Sequence, residues 1–234
     1  SNEVFYVFFT KTATSTNPVY APGVYFVEVE ISNQFPLGKV TTNPIRIRES
    51  STQQITAVHH ADGKSIWLIT FGALNGIPDA PFNTFNLFKI DNSGFASKIV
   101  SIREELTSNT GAMKASSDGK LIAVSDLSET NIDLYNFNNE TGEITLNRKI
   151  FTDTALFAPK HAYGVEFSAD SKRLYYTAEI GNSGISTLNQ FLLENPNPSN
   201  PIFQEKRELI SLTLNLFLCS IGIEVMRQLN PTKR

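Results

Sequence analysis

Three stretches of this chain repeat one pattern: an apolar run, Asp-Gly or Asp-Ser, a lysine, and a second apolar run. They centre on Asp62-Gly63-Lys64, Asp118-Gly119-Lys120 and Asp170-Ser171-Lys172, at spacings of 56 and 52 residues. A period near 50 residues built from short strands is the signature of a propeller or a related repeat array. Gly, Asn and Asp supply the positive φ that a tight hairpin needs, so each centre reads as a turn between two strands. Ser171, standing where the other two turns have Gly, predicts a looser turn or one of another type.

Each repeat continues alike. A third apolar run follows at Thr84–Ile90, Ile132–Phe137 and Ile185–Leu193, then a more polar fourth at Ser97–Ile102, Glu143–Ile150 and Ile202–Leu209. Four strands per repeat is the count of a propeller blade. The second strands, such as Ile66-Trp67-Leu68-Ile69, are apolar on both faces, which requires cover on both sides. Trp67 therefore reads as core. Glu143-Ile144-Thr145-Leu146-Asn147-Arg148 alternates, as a strand at a wheel's rim should.

These signals predict an all-β chain, a partial β-propeller of about three and a half four-stranded antiparallel blades, cut from a larger wheel. Residues 1–50 hold the last strands of a preceding blade (Val4–Phe9, Val24–Ile31 and Val40–Ile47), with Thr10–Gly23 as a surface loop. Residues 51–104, 105–152 and 153–209 each make one blade. Residues 210–234 start a further, disrupted blade or a frayed tail. Ile210 to Leu218 alternates like a first strand, but no Asp-Gly-Lys turn follows it. Terminal repeats need a polar outer face, so open blade faces here are expected to self-associate.

Composition narrows the function. The formal net charge is −3 with acids and bases interspersed, so nucleic acid is not an expected partner. The apolar stretch from Leu209 to Met226 is interrupted by Ser211, Thr213, Asn215 and Glu224, so no membrane insertion is expected. A single cysteine, Cys219, allows no intrachain disulfide.

Few residues could carry chemistry. His59 and His60 are neighbours on a strand and point to opposite faces, so they do not share a metal. His161, with Lys160 and Asp153, could face a central channel. His161, Asp153, His59 and His60 are the candidate binding residues. The acids Glu104-Glu105 and Asp126 with Glu129 read as solvated loop residues, since nothing shows the convergence a pair of glycosidase carboxylates needs. Asn139-Glu140-Thr141 has the form of a glycosylation site within a short turn. No catalytic set, metal site or cofactor is expected, because no metal-ligand spacing, nucleophile elbow or phosphate loop occurs.

Several segments carry a resemblance. Leu37-Gly38-Lys39-Val40-Thr41-Thr42-Asn43, followed by Thr56 to Trp67, resembles a WD-repeat-like propeller found in large secreted Bacteroidetes surface proteins that end in gliding-motility-type sorting domains. Lys114–Lys120 with Leu134–Asn138, and Tyr163–Ser168 with Leu174–Tyr176, extend it over residues 24 to 195. The resemblance implies an exported, cell-surface, non-enzymatic module that binds a protein or a glycan, and it transfers no site residue. A second likeness is to seven-bladed sugar-lactone hydrolases, whose blades carry similar turns and strands like Leu174-Tyr175-Tyr176 and Ile122-Ala123-Val124. A lactonase fragment is the alternative reading, with only His161 and Asp153 available for its site. A spacer role in a long surface protein is the third.

Overall fold

The computed structural model describes residues 3–11, 22–74, 81–91, 93–102, 110–151, 160–180, 186–194, 209–210 and 223–227. All its regular elements are strands: β1 (Glu3–Lys11), β2 (Gly23–Ile31), β3 (Lys39–Val40), β4 (Ile45–Glu49), β5 (Ser51–His59), β6 (Ile66–Ala73), β7 (Phe82–Asp91), β8 (Gly94–Ile102), β9 (Met113–Ala115), β10 (Leu121–Ser125), β11 (Asn131–Asn138), β12 (Glu143–Phe151), β13 (Lys160–Phe167), β14 (Arg173–Ile180), β15 (Ser186–Leu192), β16 (Leu209–Ile210) and β17 (Ile223–Arg227). They form four antiparallel sheets in the up-and-down order of propeller blades, in two compact units. The chain is an all-β protein of the propeller type.

The first unit holds residues 1–109 and 219–234. Its first sheet runs β17-β1-β2, with β3 and β4 both on the outer side of β2. β17 is the inner strand, pairing antiparallel with β1 so that Val225 lies opposite Val7. The outer strand is broken between Val40 and Ile45, where Pro44 has no N–H to give a ladder. Thr42 bridges the break by accepting the Glu28 N–H at 2.9 Å on its hydroxyl. The stretch Ile210 to Leu218, expected to be a next first strand, lies outside the described residues apart from Ile210 in β16. Most of the Thr10–Gly23 connection lies outside them as well.

The second sheet of this unit is β5-β6-β7-β8. Its β6 is buried along nearly its whole length, as cover on both faces requires. Phe8, Val24 and Phe26 of the first sheet share one core with Ile55, Leu68, Phe88 and Ile90 of the second. Phe95 joins them, its ring centroid 5.2 Å from that of Phe26. Trp67 is buried.

The second unit, residues 110–218, contains the sheets β9-β10-β11-β12 and β13-β14-β15-β16. Ala123, Ile132, Leu134 and Ile150 of one sheet pack with Val165, Phe167, Leu174, Tyr176 and Phe191 of the other. The alternation expected of the rim strand breaks midway. The register shifts between Leu134 and Tyr135, so Asn147 is skipped in the ladder, although its amide donates to Asn136 Oδ1 at 2.7 Å. This bulge turns Leu146 outward, and it is 51% exposed.

The crossover from β4 to β5 is a single residue, Ser50, held at φ 48°. Its carbonyl accepts the Ala73 N–H at 3.2 Å. A side chain on Gly72 would place Cβ 2.4 Å from that same oxygen. The expected result for Gly72→Ala is a loss of about 1–3 kcal/mol, the range for forced overpacking, seen as a lower urea midpoint with an unchanged m-value.

Candidate functional site

The three repeat turns share a hydrogen-bond plan. Gly63, Gly119 and Ser171 each donate their N–H back three residues, to the carbonyls of His60, Ser116 and Ser168. Each aspartate then accepts the N–H two residues on: Asp62 from Lys64 at 2.8 Å, Asp118 from Lys120 at 3.2 Å, Asp170 from Lys172 at 3.1 Å. Ser171 thus forms the same turn as the glycines, in the left-handed region at φ 57°, rather than a looser one. That conformation costs an L-residue about 1–2 kcal/mol. Its hydroxyl in turn accepts the Asp118 N–H of the neighbouring sheet at 3.1 Å.

Position 60 is the exception among the turns. The other two have a serine, whose hydroxyl donates to the aspartate. His60 lies with Nδ1 3.2 Å from Asp62 Oδ2 and Nε2 3.1 Å from Lys89 Nζ. Lys89 Nζ is itself 3.2 Å from Asp62 Oδ2. The imidazole stands 5.4 Å from the Trp67 ring and is buried, while His59 is exposed. The two neighbours therefore face apart. The His60–Asp62–Lys89 triangle ties the β5–β6 turn to β7.

His161 sits at the opposite end of its own sheet, at the start of β13, opposite Glu179 in register. Its Nδ1 is buried and has no hydrogen-bond partner among the described residues. Asp153 lies outside the described residues, as do Glu104 and Glu105. Asp126 is buried rather than solvated, and its carboxylate accepts the Ser128 N–H at 2.8 Å. Among the described residues no three His, Cys, Asp or Glu side chains are grouped to hold a metal ion. Nor is any described helix long and apolar enough to cross a membrane.

A further surface feature lies at the outer edge of the first sheet. Leu37 is 99% exposed, Val40 and Ile31 are exposed on one face of the sheet, and Ile45 is exposed on the other. The loop is well ordered by its own bonds. Ser32 and Phe35 exchange backbone hydrogen bonds, and Gly38 donates to the Phe35 carbonyl at 3.0 Å. Lys39 Nζ lies 4.5 Å from the Phe35 ring centroid. Gly38, at φ 85°, lets the chain return over Val29, whose Cγ1 would be 3.2 Å from an added Cβ. The signal for this surface was a Phe-Pro-Leu-Gly run too apolar for an ordinary turn.

No family model matches the chain, and no curated protein matches it. Solved structures are similar to it at low identity. Kuenenia stuttgartiensis hydrazine synthase is 16% identical over 77% of this chain and 49% of its own, with a TM-score of 0.45. A putative 6-phosphogluconolactonase from Bacteroides uniformis is 11% identical over 86% of this chain and 81% of its own, with a TM-score of 0.43. A Swd1 β-propeller domain from Myceliophteria thermophila is 12% identical over 77% and 55%, with a TM-score of 0.40. The chain thus spans about half the length of the hydrazine synthase chain.

The Asp62 carboxylate is held well below its ordinary value of 3.8 by the backbone N–H groups of Ser65 and Lys64. Asp91 and Asp170 are lowered too, first of all by the hydroxyls of Ser93 and Ser168. Depressed carboxylates stabilise the fold above the unfolded-state value and lose that contribution as pH falls through the folded one. Stability of the first unit should therefore fall as pH drops below about 4. In Asp62→Asn the loss should already be present at pH 7 and the acid slope should be shallower, read by thermal melts across pH 2–7.

Proposed function

We propose that this chain is a non-enzymatic interaction module, a propeller segment of an exported surface protein that holds a protein partner at the rim of its first sheet. The supporting observation is the apolar rim itself: Leu37 exposed on an ordered hairpin, with Val40 and Ile31 exposed on one face of the adjoining strands. Contiguous exposed apolar groups flanked by charge mark interaction surfaces. Here Lys39, Arg46 and Glu49 flank them, the last two paired at 2.7 Å. Propeller loops are carried on a rigid scaffold and suit this use. Location outside the cell rests on the resemblance described above.

The test is a photo-crosslinker placed at position 37 of the full protein, with position 120 on the second unit as control. A partner captured only from position 37 is then purified and titrated against the wild type and Leu37→Ser. The expected outcome is binding weakened at least tenfold in the variant. Equal affinity for both proteins overturns the rim assignment. Turnover of glucono-lactone by the purified chain overturns the non-enzymatic reading.

A further inference from the structure

The first sheet has a second face, turned away from the core that Phe8 and Phe26 share with β5–β8. Side chains alternate along a strand, so this face carries Phe5, Val7 and Phe9 of β1, opposite Val29, Val27 and Tyr25 of β2 in register. Val40 extends it from β3, opposite Val29. Tyr25 is buried, its ring stacked on that of Phe9 at 5.6 Å. Phe5, Val7, Phe9, Val27 and Val29 all stay partly open to solvent, and Ile31 and Val40 are exposed.

The sheet β13–β16 treats its corresponding face differently. Turned away from the core of Leu174 and Tyr176, that face carries Glu166, Tyr175 and Gln190 in one row and Thr177 with Leu188 in the next. Glu166 and Thr177 are exposed. A polar face of this kind is what a repeat needs where the array ends. The first sheet has an apolar face instead, and contiguous open apolar groups mark an interaction surface. A polar face pressed on it would bury Glu166 and Gln190 against Phe and Val, at a cost in lost solvation. The match it calls for is another apolar face.

The sequence of β1 supplies one. On this face the strand reads Glu3, Phe5, Val7, Phe9, Lys11. The row is symmetric in size about Val7 and opposite in charge at its two ends. Laid antiparallel on a copy of itself, it sets Val7 on Val7, Phe5 on Phe9, and Glu3 beside Lys11 at both ends. We infer that a second copy of this chain docks here, the two first sheets packing face to face about a two-fold axis at Val7. Such an isologous contact is satisfied by two copies and closes. Ile31 and Val40 border both this face and the rim, but the contact centres on Val7 whereas the rim reading rests on Leu37, and either can fail alone.

The test is sedimentation equilibrium of the purified chain over a dilution series. The wild type is expected to show a monomer–dimer equilibrium with no larger species. Val7→Lys sets two ammonium groups against each other at the axis, and is expected to be monomeric at every concentration with the far-ultraviolet spectrum of the wild type. Glu3→Lys places like charge beside Lys11 at both ends of the row and should weaken the dimer about tenfold, and adding Lys11→Glu should restore it. A wild type that is monomeric throughout, or that grows into open oligomers, overturns the inference, as does a Val7→Lys chain that dimerises like the wild type. Should Val7→Lys fail to fold, the charge exchange decides: Glu3→Lys without effect, or a double variant that does not recover, overturns the antiparallel docking.

Discussion

A sheet that is apolar on both faces has no stable existence alone in water, and the rest of this structure follows from that constraint. β6 and β10 are buried along most of their length. Within each unit the cover is another sheet of the same build, so one core of Phe, Val and Leu serves two blades at once. Burial at roughly 25 cal/mol per Å² is the only term large enough to order four short strands. The turns then decide where each strand begins.

The turn plan shows how little sequence is needed for that decision. An aspartate that accepts the N–H two residues on fixes the hairpin, and the residue two positions before it adds a further tie. Serine does this in two repeats with one hydroxyl. Histidine does it in the first repeat with a ring that also reaches Lys89 on the third strand. The same position therefore couples two strands in one blade and three in another.

The turns and the strand order were legible in the sequence because their causes are local: Asp-Gly, apolar runs, and a period. What was illegible has distant causes. The bulge at Asn147 exposes Leu146, which simple alternation buries. Ser171 keeps the glycine-type turn, a choice that depends on the hydrogen bonds around it rather than on its own preference. Arg48 sits in a strand that reads Ile-Arg-Ile-Arg-Glu, the pattern of a solvated rim, yet it is buried against the next sheet. Of the candidate site residues, His60 proved to be part of a turn network, and His161 stands apart from it at the other end of its own sheet.

The pairing of β17 with β1 has a consequence in time as well as in space. Val7 and Val225 are far apart in the sequence, so the inner edge of the first sheet is closed late. A ribosome adds about 5–20 residues per second. β1 therefore waits on the order of ten seconds or more with its inner hydrogen-bonding edge unpaired. Such an edge is a template for any other strand. Joining the first sheet through a late strand makes its completion a checkpoint on synthesis of the segment between them.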